Sequence, residues 1–262
     1  TAYIWAVPAV GRVTFHEAWD KVYNVDDGEF IILDTTADRR GPMTSNPFAT
    51  YVIAVANLAD TGPMILEDPA GNHEGIISDV WWRPISAIGN TGHFKGKGGK
   101  LLILGPDHKA PKAKGYTIIR SSSNHLFFGT RFLDLDKEKA IKELGPRLKV
   151  YPYSDRKNPP KRSLIKGNSR EWVQAPPSGI EYFELLAKVL RDEPVAERDR
   201  FFMAMLDTLG IEHGKDFNPT ARQRKILTEA AKIGELTLRA AMVQRRATKA
   251  HWEGKQWKDA IF

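Results

Sequence analysis

Residues 96–134, GKGGKLLILGPDHKAPKAKGYTIIRSSSNHLFFGTRFLD, decide the expected fold. Three short apolar runs lie between clusters of Gly, Pro, Lys and Ser, and they cover Lys100–Leu104, Tyr116–Ser121 and His125–Leu133. Strands separated by such turn residues are typical of a β-meander, in which consecutive strands pair in antiparallel fashion. The alternation in the last run predicts that Leu126, Phe128 and Phe132 face the core.

Strand patterns also precede this stretch, and helical patterns follow it. Residues 75–83, GIISDVWWR, predict a strand in which Asp79, Trp81 and Arg83 share one face. A helix containing Pro8 is expected over residues 1–23, and another is expected to begin at a capping box running from Ser178 to Glu181. This segregation of strands from helices is typical of α+β proteins rather than of alternating βα units.

The predicted fold class is α+β, with an antiparallel β-sandwich or jelly-roll-like N-terminal half and a mostly helical C-terminal half. Residues 1–150 are predicted to form the β-sandwich domain with its N-terminal helix. Residues 151–177, which are rich in Pro, Lys and Arg, are predicted to be an irregular connector. Residues 178–262 are predicted to form a helical segment that packs on the first domain or on a second β-domain.

Composition excludes several classes of function. The 262 residues contain no cysteine, which rules out disulfides, thiolate metal ligands and cysteine nucleophiles. Apolar residues make up 42% and charged residues 27% of the chain, as in ordinary globular proteins, and no apolar run reaches the ~20 residues of a membrane-spanning helix. The net charge of +7 is spread over the chain, so nucleic-acid binding is not the expected role.

Several short motifs resemble those of the domain-of-unknown-function 1254 family. The family shows a strand ending in Gly-Pro, then Arg-Ser-x-Thr/Ser-Asn and a later Gly-x-Arg, which correspond here to Gly105-Pro106, Arg120-Ser121, Ser123-Asn124 and Gly129-Thr130-Arg131. The opening AYIWAVP resembles the family's helical start. Asn46 and Tyr51 fall where the family has an Asn-x-Asp-Thr-x-Tyr pattern, but Pro47 and Ala49 depart from it.

The resemblance covers roughly residues 1–150 and implies several further properties. Members show paired β-sandwich or jelly-roll domains and frequent export behind a signal peptide, so a periplasmic or secreted location is expected. They usually continue into a second β-domain, the family numbered 1214. The sequence ends at Phe262, which suggests a truncated, cleaved or split version. The expected partners are a companion C-terminal β-domain or further copies of the chain in a homo-oligomer.

Candidate binding residues come from the strand faces and from the family motifs. The carboxylate, indole and guanidinium of Asp79, Trp81 and Arg83 would either line a ligand cleft or form an ion pair at the sheet surface. Arg120 and Arg131, expected on adjacent strands, would either clamp a carboxylate or anchor a buried acid. The predicted ligand-binding set is Asn46, Tyr51, Asp79, Trp81, Arg120, Asn124 and Arg131.

No catalytic signature is complete in the sequence. Residues 121–125, SSSNH, place hydroxyls beside an imidazole but lack a nucleophile elbow, so a turn with locally bonded side chains is expected. His16 and Asp20 retain only part of a zinc-protease helix. The sequence therefore predicts neither a metal nor a cofactor.

Two functional hypotheses follow. The first is an exported bacterial envelope protein that acts as a ligand-binding or assembly module, with a small anionic or carbohydrate ligand. The second is a hydrolase or lyase with Asp79 or His125 as general base and Arg120 or Arg131 as anion stabilisers. The second requires these side chains to converge within hydrogen-bond reach in one cleft.

Overall fold

A computed structural model describes residues 1–34, 48–112, 114–161, 164–167 and 170–244. Within these ranges the strands form two mixed sheets, and the helices α4–α6 of the C-terminal part pack with α1. The helices are α1 (Ala2–Tyr23), α2 (Leu58–Thr61), α3 (Lys137–Leu144), α4 (Ile180–Asp192), α5 (Arg200–Asp207) and α6 (Ala221–Gln244). The α+β fold class is confirmed.

The larger sheet has six strands in the order β10-β1-β2-β8-β4-β5. These strands are β1 (Ile31–Leu33), β2 (Thr50–Asn57), β4 (His73–Asp79), β5 (Pro84–Gly89), β8 (His125–Phe132) and β10 (Ile165–Lys166). The smaller sheet has the order β7-β6-β3-β9, from β3 (Met64–Asp68), β6 (Gly99–Leu104), β7 (Thr117–Arg120) and β9 (Lys149–Pro152). Both sheets are mixed, because β1–β10 and β6–β7 pair in parallel.

The main core lies between the two sheets. Apolar side chains from β2 and β8 of the larger sheet pack against side chains from β3 and β6 of the smaller one. Leu126, Phe128 and Phe132 belong to this core, as predicted, and Phe127 points to the opposite face, where it packs with Phe15 of α1. The two-residue alternation of the strands therefore directs one face of each sheet into this core.

The predicted meander is wrong, although its three strands exist. Strands β6 and β7 pair in parallel, with Leu101 opposite Thr117, and β8 lies in the other sheet between β2 and β4. Parallel strands must be joined by a crossover connection, whereas antiparallel strands can be joined by a tight hairpin. The connection from Gly105 to Tyr116 is long enough for such a crossover. An apolar run specifies a buried strand but not its partner.

The predicted strand over residues 75–83 is too long at its end. Strand β4 stops at Asp79, and the next residues turn back into β5. The Asp79 carboxylate causes this turn, because its Oδ1 accepts hydrogen bonds from the backbone N–H groups of Trp81 and Arg83, both at 2.9 Å. Asp79, Trp81 and Arg83 are thus neighbours across a turn rather than along one strand face.

Helix α1 connects the helical part to the larger sheet. Its first half packs with α4, α5 and α6, with Tyr3 stacked on Tyr182 at a centroid distance of 3.9 Å. Its second half covers the outer face of the larger sheet through Phe15 and Trp19. The predicted capping box is wrong, since the N-cap of α4 is Gly179 with a φ of 70° and Ser178 Oγ instead donates to Glu235. The proposed domain boundaries stay a prediction.

Candidate functional site

A cleft of about 540 Å³ opens where β7 ends, where β4 turns into β5 and where the chain leaves α4. We call it the Arg120 cleft, and its lining comprises Trp81, Arg83, Pro106, Arg120, Ser121, Ser122 and the segment Glu193–Ala196. Its volume falls in the range that holds small ligands. The elements that form it come from both sheets and from the helical part.

Two arginines give one wall of the Arg120 cleft a positive charge. Arg83 Nε donates to Asp79 Oδ2 at 2.7 Å, and the Asp79 side chain is 3% exposed whereas that of Arg83 is 42% exposed. Arg120 is exposed, and its Nη1 donates to the backbone carbonyl of His108 at 3.1 Å. In the described part of the chain Arg120 forms no ion pair. Its charge is therefore available to a ligand.

Trp81 supplies an aromatic surface beside these arginines. Its ring centroid lies 4.8 Å from that of Trp5 in α1, and the guanidinium carbon of Arg198 lies 5.8 Å from the Trp81 ring. The rings of Trp5 and Phe202 stack in turn at 4.8 Å, so Trp81 is supported by packed aromatic side chains. An indole held in this way offers a flat apolar surface to a ligand ring.

The turn between β7 and β8 is closed by its own side chains, as the sequence predicts. Ser121 Oγ donates to the Ser123 carbonyl at 2.6 Å and accepts from the Ser123 N–H at 3.0 Å. Ser123 Oγ accepts from the N–H of Val80 at 3.3 Å. These hydroxyls satisfy backbone groups and hold the β4–β5 turn against β7, which leaves the exposed Ser122 in the cleft lining.

Asn124 and His125 fasten the end of α4 to the sheet. Asn124 Nδ2 donates to the Asp192 carbonyl at 2.6 Å. The backbone N–H and the ring Nδ1 of His125 both bond to Glu193 Oε1, at 2.7 Å and 2.8 Å. The Glu193 side chain is 3% exposed. These contacts fix the segment that forms the second wall of the Arg120 cleft.

The structure divides the predicted ligand-binding set into two groups. Trp81 and Arg120 line the cleft, with Asp79 and Asn124 as supports behind it. Arg131 instead lies over the ring of Tyr51, with its guanidinium carbon 5.0 Å from the centroid. Arg131 is six residues along β8 from His125, a separation of roughly 20 Å. Asn46 lies outside the described residues.

Arg120 and Arg131 do not lie on adjacent strands, contrary to the prediction. Arg120 ends β7 in the smaller sheet, whereas Arg131 is in β8 of the larger one. They therefore cannot clamp one small carboxylate. The buried acid Asp79 is anchored by neither, because Arg83 occupies it.

The structure does not bring the two candidate bases, Asp79 and His125, into one cleft with the arginines, as the hydrolase or lyase hypothesis requires. Asp79 accepts from Trp81 and Arg83 with both carboxylate oxygens. His125 Nδ1 is bonded to Glu193. Neither residue lines the Arg120 cleft. The structure brings Trp81 and Arg120 together in one cleft and places Asp79 and His125 behind it as supports.

Sequence reasoning missed the Glu193–Ala196 wall. The signal for a helix end was present, since Pro194 lies two residues after the last residue of α4, but the contact between Glu193 and His125 spans 68 residues and has no local sequence pattern. Arg83 was grouped with Asp79 and Trp81, and its place in the cleft follows from the turn that Asp79 forms.

Asp27, whose carboxyl is influenced by the charge of His125, has a raised pKa. Burial raises the pKa of the Asp27 carboxyl above its usual value, and the charge of Asp60 adds to the shift, while His16, the Asn57 N–H and His125 oppose it. His16 Nε2 lies 3.9 Å from Asp27 Oδ1.

The free energy of unfolding of Asp27→Asn minus that of the unchanged protein is expected to increase as the pH rises. A carboxyl whose pKa is higher in the folded state disfavours folding once it ionises, so stability falls as the pH rises from the unfolded pKa through the folded pKa. Urea unfolding of both proteins at pH 4, 5, 6 and 7 measures the difference. A difference that does not change with pH would contradict this assignment.

Within the described ranges no group of three or more His, Cys, Asp or Glu side chains is arranged to hold a metal ion. No helix among the described residues is both long enough and apolar enough to cross a membrane.

The comparisons with known proteins agree with this architecture. Residues 28–152 match the model of the family described as protein of unknown function (DUF1254). This segment is a DUF1254 domain. The DUF1254 domain contains β1–β9 and the β4–β5 turn, whereas α1 with its AYIWAVP opening precedes the matched range and β10 and Glu193–Ala196 follow it.

A solved structure shares the fold beyond the DUF1254 domain. The crystal structure of the VPA0106 protein from Vibrio parahaemolyticus aligns with a TM-score of 0.60 at 17% sequence identity. The alignment covers 93% of this chain and 60% of that chain, so this chain spans about 60% of its length. The search of curated proteins found no match. The likeness shows a common fold in a bacterial protein.

Proposed function

We propose that this chain is a ligand-binding module whose Arg120 cleft holds a small organic anion with a flat or sugar-like ring. The observation that carries the proposal is the meeting of two guanidinium groups, Arg83 and Arg120, with the indole of Trp81 in one cleft. Guanidinium groups bind carboxylates through paired hydrogen bonds, and an indole face accepts an apolar or sugar ring.

The arginines are held in position before a ligand binds. Asp79 fixes Nε of Arg83, and the His108 carbonyl fixes Nη1 of Arg120. His108 is itself held, because its Nδ1 accepts the Gly105 N–H at 3.0 Å. Side chains ordered in advance lose less conformational entropy on binding. This arrangement supports a binding role for the cleft.

Arg120→Gln is expected to weaken the binding of glucuronate and benzoate by about tenfold or more, because one charge-assisted contact is lost. Isothermal titration calorimetry of each anion against the unchanged protein and the variant measures this. Arg147→Gln is the matched control, since Arg147 is exposed, its Nε donates to the Glu143 carbonyl at 2.7 Å, and it lies outside the cleft lining. Equal affinities for the Arg120 variant and the unchanged protein would overturn the proposal.

Export to the bacterial envelope belongs to the same proposal and rests on the family. Fractionation of cells that express the protein from its own complete gene is expected to place it in the periplasm or the medium. Recovery in the cytosol alone would contradict export, without bearing on the ligand.

A further inference from the structure

Arg12 is a buried cation on the apolar face of α1. It is 2% exposed, and its guanidinium carbon lies 4.2 Å from the ring centroid of Phe127 and 5.1 Å from that of Trp82. Contact of a guanidinium with the face of an aromatic ring is favourable, but it supplies no acceptor for the N–H groups in the plane of the guanidinium. Arg12 therefore depends on other groups for its hydrogen bonds.

The described residues supply no acceptor to Arg12 Nη1 and Nη2, although both nitrogens are fully buried. Asp79 is the carboxylate whose charge acts on Arg12, but its oxygens bond to Trp81 and Arg83 instead. Burial lowers the pKa of the Arg12 guanidinium well below its usual value, and Asp79 opposes this only in part. A buried cation with unpaired N–H groups is costly unless an anion or acceptor meets it.

Ser78 provides a second unpaired polar group on the same face of the larger sheet. Its Oγ is buried, and no partner for it exists among the described residues. Ser78 lies directly opposite Phe127 in the pairing of β4 with β8, so both side chains project to the α1 side. The pairing of β4 with β5 is also irregular between Ile77 and Ser78, as is common where a strand redirects a side chain at a site.

Trp82 packs against Arg12 at the edge of this face. It is 40% exposed, its backbone has the left-handed φ of 60°, and its Nε1 donates to the Pro8 carbonyl at 3.0 Å. A left-handed φ is uncommon for a bulky residue and is retained where surrounding contacts impose it. One exposed indole, bonded once to α1, thus lies against the buried Arg12 and the ring of Phe127.

We propose that Arg12 and Ser78 bind a small monovalent anion of chloride size beneath Trp82. The available groups are hydrogen-bond donors, two guanidinium NH2 groups and one O–H, and a single negative charge balances the guanidinium. Enclosure by the rings of Phe127 and Trp82 favours a compact, weakly hydrated anion over a phosphate or a larger carboxylate. This site lies on the α1 side of the sheet and is separate from the Arg120 cleft.

Thermal unfolding in sodium chloride, sodium bromide and sodium gluconate at equal ionic strength tests the proposal, with Arg120→Gln as the parent protein so that gluconate, itself a sugar carboxylate, binds the Arg120 cleft only weakly. The parent protein is expected to melt at least about 2 °C higher in either halide than in gluconate, because a ligand bound only by the folded state stabilises it. Arg12→Met and Ser78→Ala are both expected to lose this difference. If Arg12→Met does not fold, Ser78→Ala alone gives the test.

Thr50→Val is the matched control. Thr50 Oγ1 is likewise buried without a partner among the described residues, but Thr50 lies opposite Phe132, whose ring faces the core between the sheets. This variant is expected to keep the halide effect. Loss of the effect in Thr50→Val, or its persistence in Ser78→Ala, would overturn the proposal.

Crystals soaked in bromide locate the anion directly. An anomalous peak within about 3.5 Å of Arg12 Nη1 or Nη2 is expected. Absence of that peak at a bromide concentration that raises the melting temperature would contradict the site, and the rings of Phe127 and Trp82 would then be the principal partners of Arg12.

Discussion

Asp68→Ala is expected to lower the free energy of unfolding by about 3–5 kcal/mol, because it breaks a buried pair and leaves one partner behind. Asp68 Oδ1 lies 2.7 Å from His73 Nε2, with side-chain exposures of 1% and 0%. Asp68 Oδ2 accepts the N–H of Gly89 at 3.1 Å. His73 Nδ1 is also bonded, to the Gly71 carbonyl at 3.2 Å.

The position of Asp68 explains the size of this effect. It ends β3 of the smaller sheet, whereas His73 begins β4 and Gly89 ends β5 of the larger one. One carboxylate therefore joins the two sheets where these strands end. No apolar contact can replace these bonds, because the alanine variant leaves the His73 ring and the Gly89 N–H buried without Asp68 as an acceptor.

Urea unfolding at pH 7 measures the loss. Lys232→Ala is the control, since Lys232 pairs with Glu229 at the surface with 62% exposure and is expected to change stability by no more than about 0.5 kcal/mol. An Asp68→Ala protein as stable as the Lys232→Ala protein would show that the pair does not hold the sheets together.

Glu193→Ala is expected to cost about 2–4 kcal/mol, because the backbone N–H and the ring of His125 both lose their acceptor in a buried setting. The conservative Glu193→Gln keeps an acceptor oxygen and is expected to lose less. The same change also frees the segment after α4, so the affinity of the Arg120 cleft for glucuronate is expected to fall in the alanine variant.

Denaturant unfolding and calorimetry of the two Glu193 variants provide the measurements. Glu197→Ala is the control, as Glu197 is 79% exposed and pairs with Arg200 at the surface. If Glu193→Ala unfolds like Glu197→Ala, then the contact with His125 is not what fixes the end of α4.

The sequence predicted strands and helices better than it predicted their partners. The alternation of Leu126, Phe128 and Phe132 identified a core face because burial follows the two-residue period of a strand. Pairing of β6 with β7 depends on how a long connection crosses the sheet, which no local pattern specifies. The same limit applies to the turn after Asp79. The apolar pattern predicts a strand that continues to Arg83, but the Asp79 carboxylate ends the strand by accepting backbone N–H groups of the turn.

Part of the candidate site could be predicted, because residue type indicates which side chains can bind a ligand but not which of them meet in the folded chain. Trp81 and Arg120 were identified by residue type, and both line the cleft. Arg131 has the same chemistry but belongs to the other sheet, and Glu193 meets His125 only after the chain has folded. The burial of Arg12 could have been predicted, because its spacing from Phe15 and Trp19 places it on the buried face of α1.

A crystal structure of the protein with saturating sodium glucuronate tests the central claim most directly. The account predicts a glucuronate molecule in the Arg120 cleft, with its carboxylate within hydrogen-bond distance of Arg83 or Arg120 and its ring against Trp81. Glucuronate bound at another surface, or a cleft without ligand at that concentration, would contradict it.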